Sequence, residues 1–161
     1  MITTRNATRE DIPTLYAILN EVVEIGGTTA FVPPFSQTDF ETYFMTERMF
    51  SMVVAIDEAG DILGWQTLDA HELLPKDVGD IGSYAKLGHV GQGIGTKMFE
   101  HTVRNARECG LAEIHAAIRA DNQSGLTYYS KMGLTDCDFE PNFTLKTGEV
   151  VGRISKRFDL G

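Results

Sequence analysis

Gly91-Gln92-Gly93-Ile94-Gly95-Thr96 is the segment whose residue types point most directly to chemistry. It stands between a strand-like and a helical pattern. Backbone N–H groups at a helix start, with little side-chain bulk in front of them, suit a phosphate or pyrophosphate. A dinucleotide fingerprint would need glycine where Thr96 or Met98 stands, and a Walker motif would not place Thr96 between Gly95 and Lys97. Other reactive residue types lack a supporting pattern. His71, His89, His101 and His115 have no metal-ligand spacing, so no metal is expected. Ser83, Ser124 and Ser130 sit in no nucleophile elbow. Cys109 and Cys137 form no CxxC pair and read as two buried thiols.

The elements that must carry this loop are legible from periodicity. A short strand near residues 2–6 precedes a helix whose apolar face is Ile12, Leu15, Tyr16, Leu19, Val22 and Val23, with Thr8 as cap and Pro13 in the first turn. Gly26-Gly27 end it, and Pro33-Pro34 make residues 28–35 a loop. Ser36 with Asp39 opens a second helix, expected to bury Phe40, Tyr43 and Phe44. Residues 52–56 and 62–68 form a hairpin around Asp57 to Asp61. Residues 79–87 read as a strand and 88–93 as a glycine-rich turn. Ile94, Met98, Phe99, Val103 and Ala106 are the inward stripe of a third helix, ended by Cys109-Gly110. Residues 111–119 alternate, with Ile114, Ala116 and Ile118 facing one way and His115, Ala117 and Arg119 the other, so they form a strand parallel to the one before the helix. Asp121-Asn122 open a fourth helix through Leu126 and Tyr129 to Gly133. Strands near 134–140 and 149–158 pair antiparallel around Thr147-Gly148. The sum is a single α/β (or α+β) domain over residues 1–161, with a mixed sheet of about seven strands and about four helices.

Fourteen Lys plus Arg against 23 Asp plus Glu give a formal charge of −9 in 161 residues. Nucleic acid and anionic membrane are repelled by such a chain, whereas cationic small molecules are favoured. No apolar run approaches the roughly 20 residues of a membrane span. Without a signal-peptide pattern at its start, the chain is expected to be cytoplasmic.

Two segments together carry a family resemblance. Gly93-Ile94-Gly95 fits motif A of the GCN5-related N-acetyltransferases (GNAT), and residues 119–134, with Asn122, Tyr129 and Gly133-Leu134, resemble motif B. Leu19-Asn20 through Thr29-Ala30-Phe31, with Asp80, is loosely similar to the phosphinothricin and small amino-acid N-acetyltransferases. One departure is Val90, where the family usually carries Arg or Gln. The resemblance implies a mostly antiparallel sheet with a central parallel pair, one strand of which bulges and splays from the other. It implies acetyl-CoA as cosubstrate, held by main-chain groups of Tyr84 and Ala85, by the loop Gly91, Gln92, Gly93, Ile94, Gly95 and Thr96, and by Asn122. Lys86, Lys97 or Lys131 would offset the missing charge at position 90. Tyr129 matches the residue that protonates the departing thiolate, and Asp80 the acidic residue that serves as general base. Asp80 reads equally as a turn residue capping a backbone N–H.

The implied activity is direct transfer of an acetyl group to a primary amine of a small molecule, an amino acid or its analogue, with a homodimer through the last strands. The alternatives are a coenzyme-binding sensor without turnover and an acetyltransferase acting on a protein amine.

Overall fold

The computed structural model describes residues 1–26, 36–89 and 91–161. The expected loop over 28–35, with Phe31 and Phe35, and the departure at Val90 lie outside the described residues.

Seven strands form one sheet: β1 (Thr3–Asn6), β2 (Met49–Ile56), β3 (Ile62–Asp69), β4 (Val78–Ala85), β5 (Glu113–Arg119), β6 (Thr135–Thr144) and β7 (Val150–Asp159). Their spatial order is β1-β2-β3-β4-β5-β7-β6. All neighbours run antiparallel except β4 and β5. Four α-helices accompany them among the described residues: α1 (Ile12–Ile25), α2 (Gln37–Phe44), α3 (Ile94–Glu108) and α4 (Gln123–Lys131).

The start of α1 differs from expectation. Thr8 caps a 3-10 turn, Arg9–Asp11, and Asp11 in turn precedes α1. The Asp11 carboxylate accepts from the Thr8 backbone N–H at 2.8 Å and from both Arg5 guanidinium nitrogens at 2.7 and 2.9 Å, which offsets the cost of its burial. The other signals act where they stand. Ser36 Oγ accepts from the Asp39 N–H at 3.1 Å to cap α2. The Asp57 carboxylate closes the β2–β3 turn by accepting from the Ala59 and Asp61 N–H groups, each at 2.9 Å.

Helices α1 and α2 cover one face of the sheet, packing Ile12, Leu15, Phe40 and Phe44 on Trp65 and Tyr84. Trp65 and Tyr84 stack with centroids 4.5 Å apart. Helices α3 and α4 cover the other face, where Phe99, Val103 and Tyr129 meet Ile114, Ala116 and Ile118. The alternation along β5 therefore places its side chains as expected.

Three expectations are corrected. Tyr43 is half exposed, because α2 buries only the Phe40 and Phe44 side of its surface. Both cysteines are free and exposed. Cys109 sits at the surface end of α3, and Cys137 on β6, an edge strand with most of its residues in solvent. Strand β6 also runs through Pro141 to Thr144; a proline is tolerated on an edge strand, and the register shifts between Glu140 and Phe143.

Candidate active site

Strands β4 and β5 pair only over Val78–Asp80 with Glu113–His115. Beyond that point β4 continues to Ala85 against β3, while β5, paired with β7 along its whole length, continues to Arg119. The parallel pair thus splays, leaving main-chain groups of Ile81–Ala85 without a strand on that side among the described residues. The expected bulge in β4 is not there: its register with β3 runs from Asp69↔Asp80 to Gly64↔Ala85 without a shift. The gap opens where β4–β5 pairing ends, after Asp80↔His115.

A cavity of about 510 Å³ fills the splay. Asp80, Tyr84, Ala85, Asn122 and Tyr129 all line it. Gly91 to Thr96 do not belong to its wall; Gly91 to Gly93 lead into α3 beyond the end of β4, and Ile94 to Thr96 open that helix. Gly93 caps α3 in the left-handed region, φ 78°, and a β-carbon there would meet open space. The first N–H groups of a 15-residue helix have no intrahelical acceptor, so the loop suits a phosphate-bearing ligand. Gly95 answers a different need, because a β-carbon would lie 2.5 Å from the Tyr128 ring. That closeness lets the Tyr128 hydroxyl donate to the Gly95 carbonyl at 2.7 Å.

Asn122 caps α4, its side-chain oxygen accepting from the Gly125 N–H at 3.0 Å. Tyr129, about two turns further along α4, is buried, with its Oη 2.8 Å from Ser83 Oγ. Burial pushes the phenol well above its ordinary range, partly offset by the Ser83 hydrogen bond, so Tyr129 holds its proton at neutral pH.

Asp80 and Ser83 are three apart on β4 and so face opposite sides of the sheet. Asp80 lies on the α1–α2 side with His115, whose Nδ1 is 3.1 Å from the Asp80 carboxylate. The pair is partly open, at 28% exposure for Asp80 and 16% for His115. The turn-cap alternative for Asp80 loses its setting, since Asp80 sits inside β4.

Asp69, directly opposite Asp80 in the β3–β4 register, also lines the cavity and escaped the sequence reading. Burial, then the nearby Asp80 charge, raises its carboxyl from 3.8 to about 6, with Arg48 opposing the shift. An acidic residue ending a strand with no other charged position was the available signal. Gln66 and Thr102 were missed too, although each is a polar residue at an inward position and both are fully buried.

The raised Asp69 value gives a stability expectation. The folded state holds this proton more tightly than the unfolded chain, so between about pH 4 and pH 6 stability falls as pH rises, and the cost is fully present above 6. Solvent screening of a partly exposed side chain leaves ~1 kcal/mol of it. Asp69→Asn is expected to raise Tm by a few degrees at pH 7 and to converge with the parent protein near pH 4, as read by thermal melts. A lower Tm at pH 7 would overturn this.

Among the described residues no group of three His, Cys, Asp or Glu is placed to hold a metal ion, and no helix is long and apolar enough to cross a membrane.

The family model for the acetyltransferase (GNAT) domain matches residues 2–135. A Bacillus subtilis (strain 168) protein named "Putative phosphinothricin acetyltransferase YwnH" is 24% identical over 163 residues, covering 99% of this chain and 95% of that one. The structure of a phosphinothricin acetyltransferase from Sinorhizobium meliloti, in complex with acetyl-CoA, superposes with a TM-score of 0.87 at 22% identity, over 99% of this chain and 89% of that one. A ribosomal-protein-alanine N-acetyltransferase from Brucella melitensis gives 0.86 at 20% identity, over 97% and 98%. With the splayed pair and motif B residues on one cleft, the glycine turn beyond the end of β4, and a family model spanning most of the sequence, the chain belongs to the GNAT family and is an acyl-CoA-dependent N-acetyltransferase that uses acetyl-CoA.

Proposed function

We propose that the protein transfers the acetyl group to the primary amine of a small molecule, an amino acid or an analogue of one. The observation that carries this reading is the charge arrangement of one cavity. Asp69 and Asp80 face each other on its β3–β4 wall, and Arg119 and Arg153 line it from β5 and β7. Paired carboxylates attract and deprotonate an ammonium group, and guanidinium groups suit a carboxylate on the same molecule. Arg119 is held by two hydrogen bonds to Asp121, and the Arg153 guanidinium lies 3.9 Å over the Phe143 ring.

When bound, acetyl-CoA supplies an activated acyl thioester. The N–H groups from Gly91 through Gln92, Gly93, Ile94, Gly95 and Thr96 hold its phosphates at the positive end of α3. Main-chain groups of Tyr84 and Ala85, on the unpaired edge of β4, orient the pantetheine arm, and Asn122 contacts it from the start of α4. Asp80 takes a proton from the acceptor amine, directly or through water, with His115 holding the carboxylate in place. Tyr129 gives its proton to the leaving sulfur. The whole chain acts as one catalytic domain in this reading.

A thiol-release assay with acetyl-CoA tests it against a panel of amino acids, amino-acid analogues, polyamines and peptides. Release with free amino acids or their analogues, and none with peptides, is expected. Release with peptides alone would transfer the reading to a protein acceptor; none with any amine, despite coenzyme binding, would make the protein a sensor.

A further inference from the structure

A buried hydrogen-bond chain runs from α3 to the cavity, and its direction can be worked out from donors and acceptors. The Gly95 carbonyl, 2.7 Å from Tyr128 Oη, can only accept, so the Tyr128 hydroxyl hydrogen is committed to it. Tyr128 Oη must then accept from Gln66, 3.0 Å away, which turns the Gln66 amide nitrogen towards it. The same nitrogen lies 2.8 Å from Ser83 Oγ and donates its second hydrogen there. The Gln66 oxygen faces Thr102, whose hydroxyl donates to it at 2.7 Å. Gln66 and Ser83 are direct partners across the β3–β4 register, and both Gln66 and Thr102 are fully buried, so the amide has little freedom to flip.

Ser83 therefore accepts from Gln66, and its own hydrogen is left for a tyrosine oxygen; Tyr128 Oη also lies near Ser83 but already accepts from Gln66 and donates to Gly95, which leaves Tyr129 Oη, at 2.8 Å, as the acceptor the geometry favours. From this polarity we infer that Gln66 and Ser83 are positioning residues, which turn the Tyr129 hydroxyl hydrogen away from the protein and into the cavity where the leaving sulfur departs. The same chain separates the two adjacent tyrosines. Tyr128 spends its hydrogen on the coenzyme loop, and Tyr129 keeps its own for transfer. A hydrogen bond from Ser83 also stabilises the phenolate that remains once Tyr129 has given its proton, in a site whose burial disfavours that charge. The inference rests on the proposed proton-donor role of Tyr129.

Steady-state thiol release by the full chain tests it, comparing Ser83→Ala, Tyr129→Phe and the double variant. Ser83→Ala is expected to lower kcat about tenfold or more while KM for acetyl-CoA stays within about twofold. In the Tyr129→Phe background the same change is expected to cost nothing further, because Ser83 acts only through the phenol. Gln66→Glu gives an independent arm. Its ionised carboxylate accepts from Ser83 and reverses the chain, so kcat falls as pH rises through the titration of that carboxylate, whereas the parent protein shows no such limb. Parent-like kcat in Ser83→Ala, or losses that multiply in the double variant, would overturn the positioning role alone if Tyr129→Phe is impaired. Parent-like kcat in Tyr129→Phe would overturn the donor role and this inference with it. Should Ser83→Ala fail to fold, a pH-independent, parent-like kcat in Gln66→Glu overturns the inference by itself.

Discussion

Replacing Tyr129 by phenylalanine is expected to lower kcat by about 10²- to 10³-fold, the range over which a positioned general acid acts. The change is nearly isosteric. The ring stays packed in the α3–α4 side of the core, and only the hydroxyl and its bond to Ser83 are lost. Acetyl-CoA binding is therefore expected to change little, since the glycine turn is anchored through Tyr128 and not through Tyr129. Thiol release measured at saturating coenzyme separates the two effects. A kcat within twofold of the parent would remove Tyr129 from the chemistry. Burial raises the phenol, so Tyr129 carries its proton at neutral pH and is a weak acid there. The cost lies in forming the phenolate, which Ser83 helps to stabilise.

The second large effect is expected at Asp80. Asp80→Asn keeps the shape and a hydrogen-bond acceptor for His115, and removes only the charge and the basic oxygen. A fall of about 10²-fold in kcat/KM near neutral pH is expected. An amine is mostly protonated at pH 7, so the pH profile separates attraction from proton removal. If Asp80 only attracts the ammonium group, activity recovers at high pH, where the amine is neutral in solution. If Asp80 removes the proton, the deficit persists up to the pH at which solvent deprotonates the amine faster than the site can. Parent-like activity at pH 7 would remove Asp80 from either role and turn attention to Asp69, the carboxylate directly across the strand pair. Raised to about 6 by burial and by the Asp80 charge, Asp69 is already poised nearer the range of a general base.

Acidity and coenzyme binding are reconciled by distance. In the proposed site a chain of net charge −9 would hold its phosphate-bearing partner through backbone groups and the dipole of α3, which act within a turn of the helix. Its surplus carboxylates act elsewhere, and two of them reach the cavity.

Local signals in the sequence were enough for the elements. The alternation from Ile114 to Arg119, the stripe from Ile94 to Ala106 and the Ser36 cap each depend on residues within a few positions of one another, so the chain states them without its fold. The glycine turn and motif B were legible for the same reason. Boundaries moved where a partner strand decided them: β2 begins at Met49, and β6 continues through Pro141, because pairing extends or tolerates what propensity alone would stop. Periodicity also overcounted burial at Tyr43, whose helix turns only part of its apolar surface inward.

What the sequence could not state was every relation between distant strands. Pairing of β4 with β5 stops after Asp80↔His115 while each strand keeps its other neighbour, and the cavity lies where the two diverge, with no register shift in β4 against β3. The cross-strand register sets Asp69 against Asp80 and Gln66 against Ser83. Helix packing then brings Thr102, Tyr128 and Tyr129 to the same polar chain. The amino acids alone determined which groups could carry acyl transfer. Which of them meet, and in which direction the protons point, was decided only when non-local pairing and burial removed the water that would otherwise have satisfied each group separately.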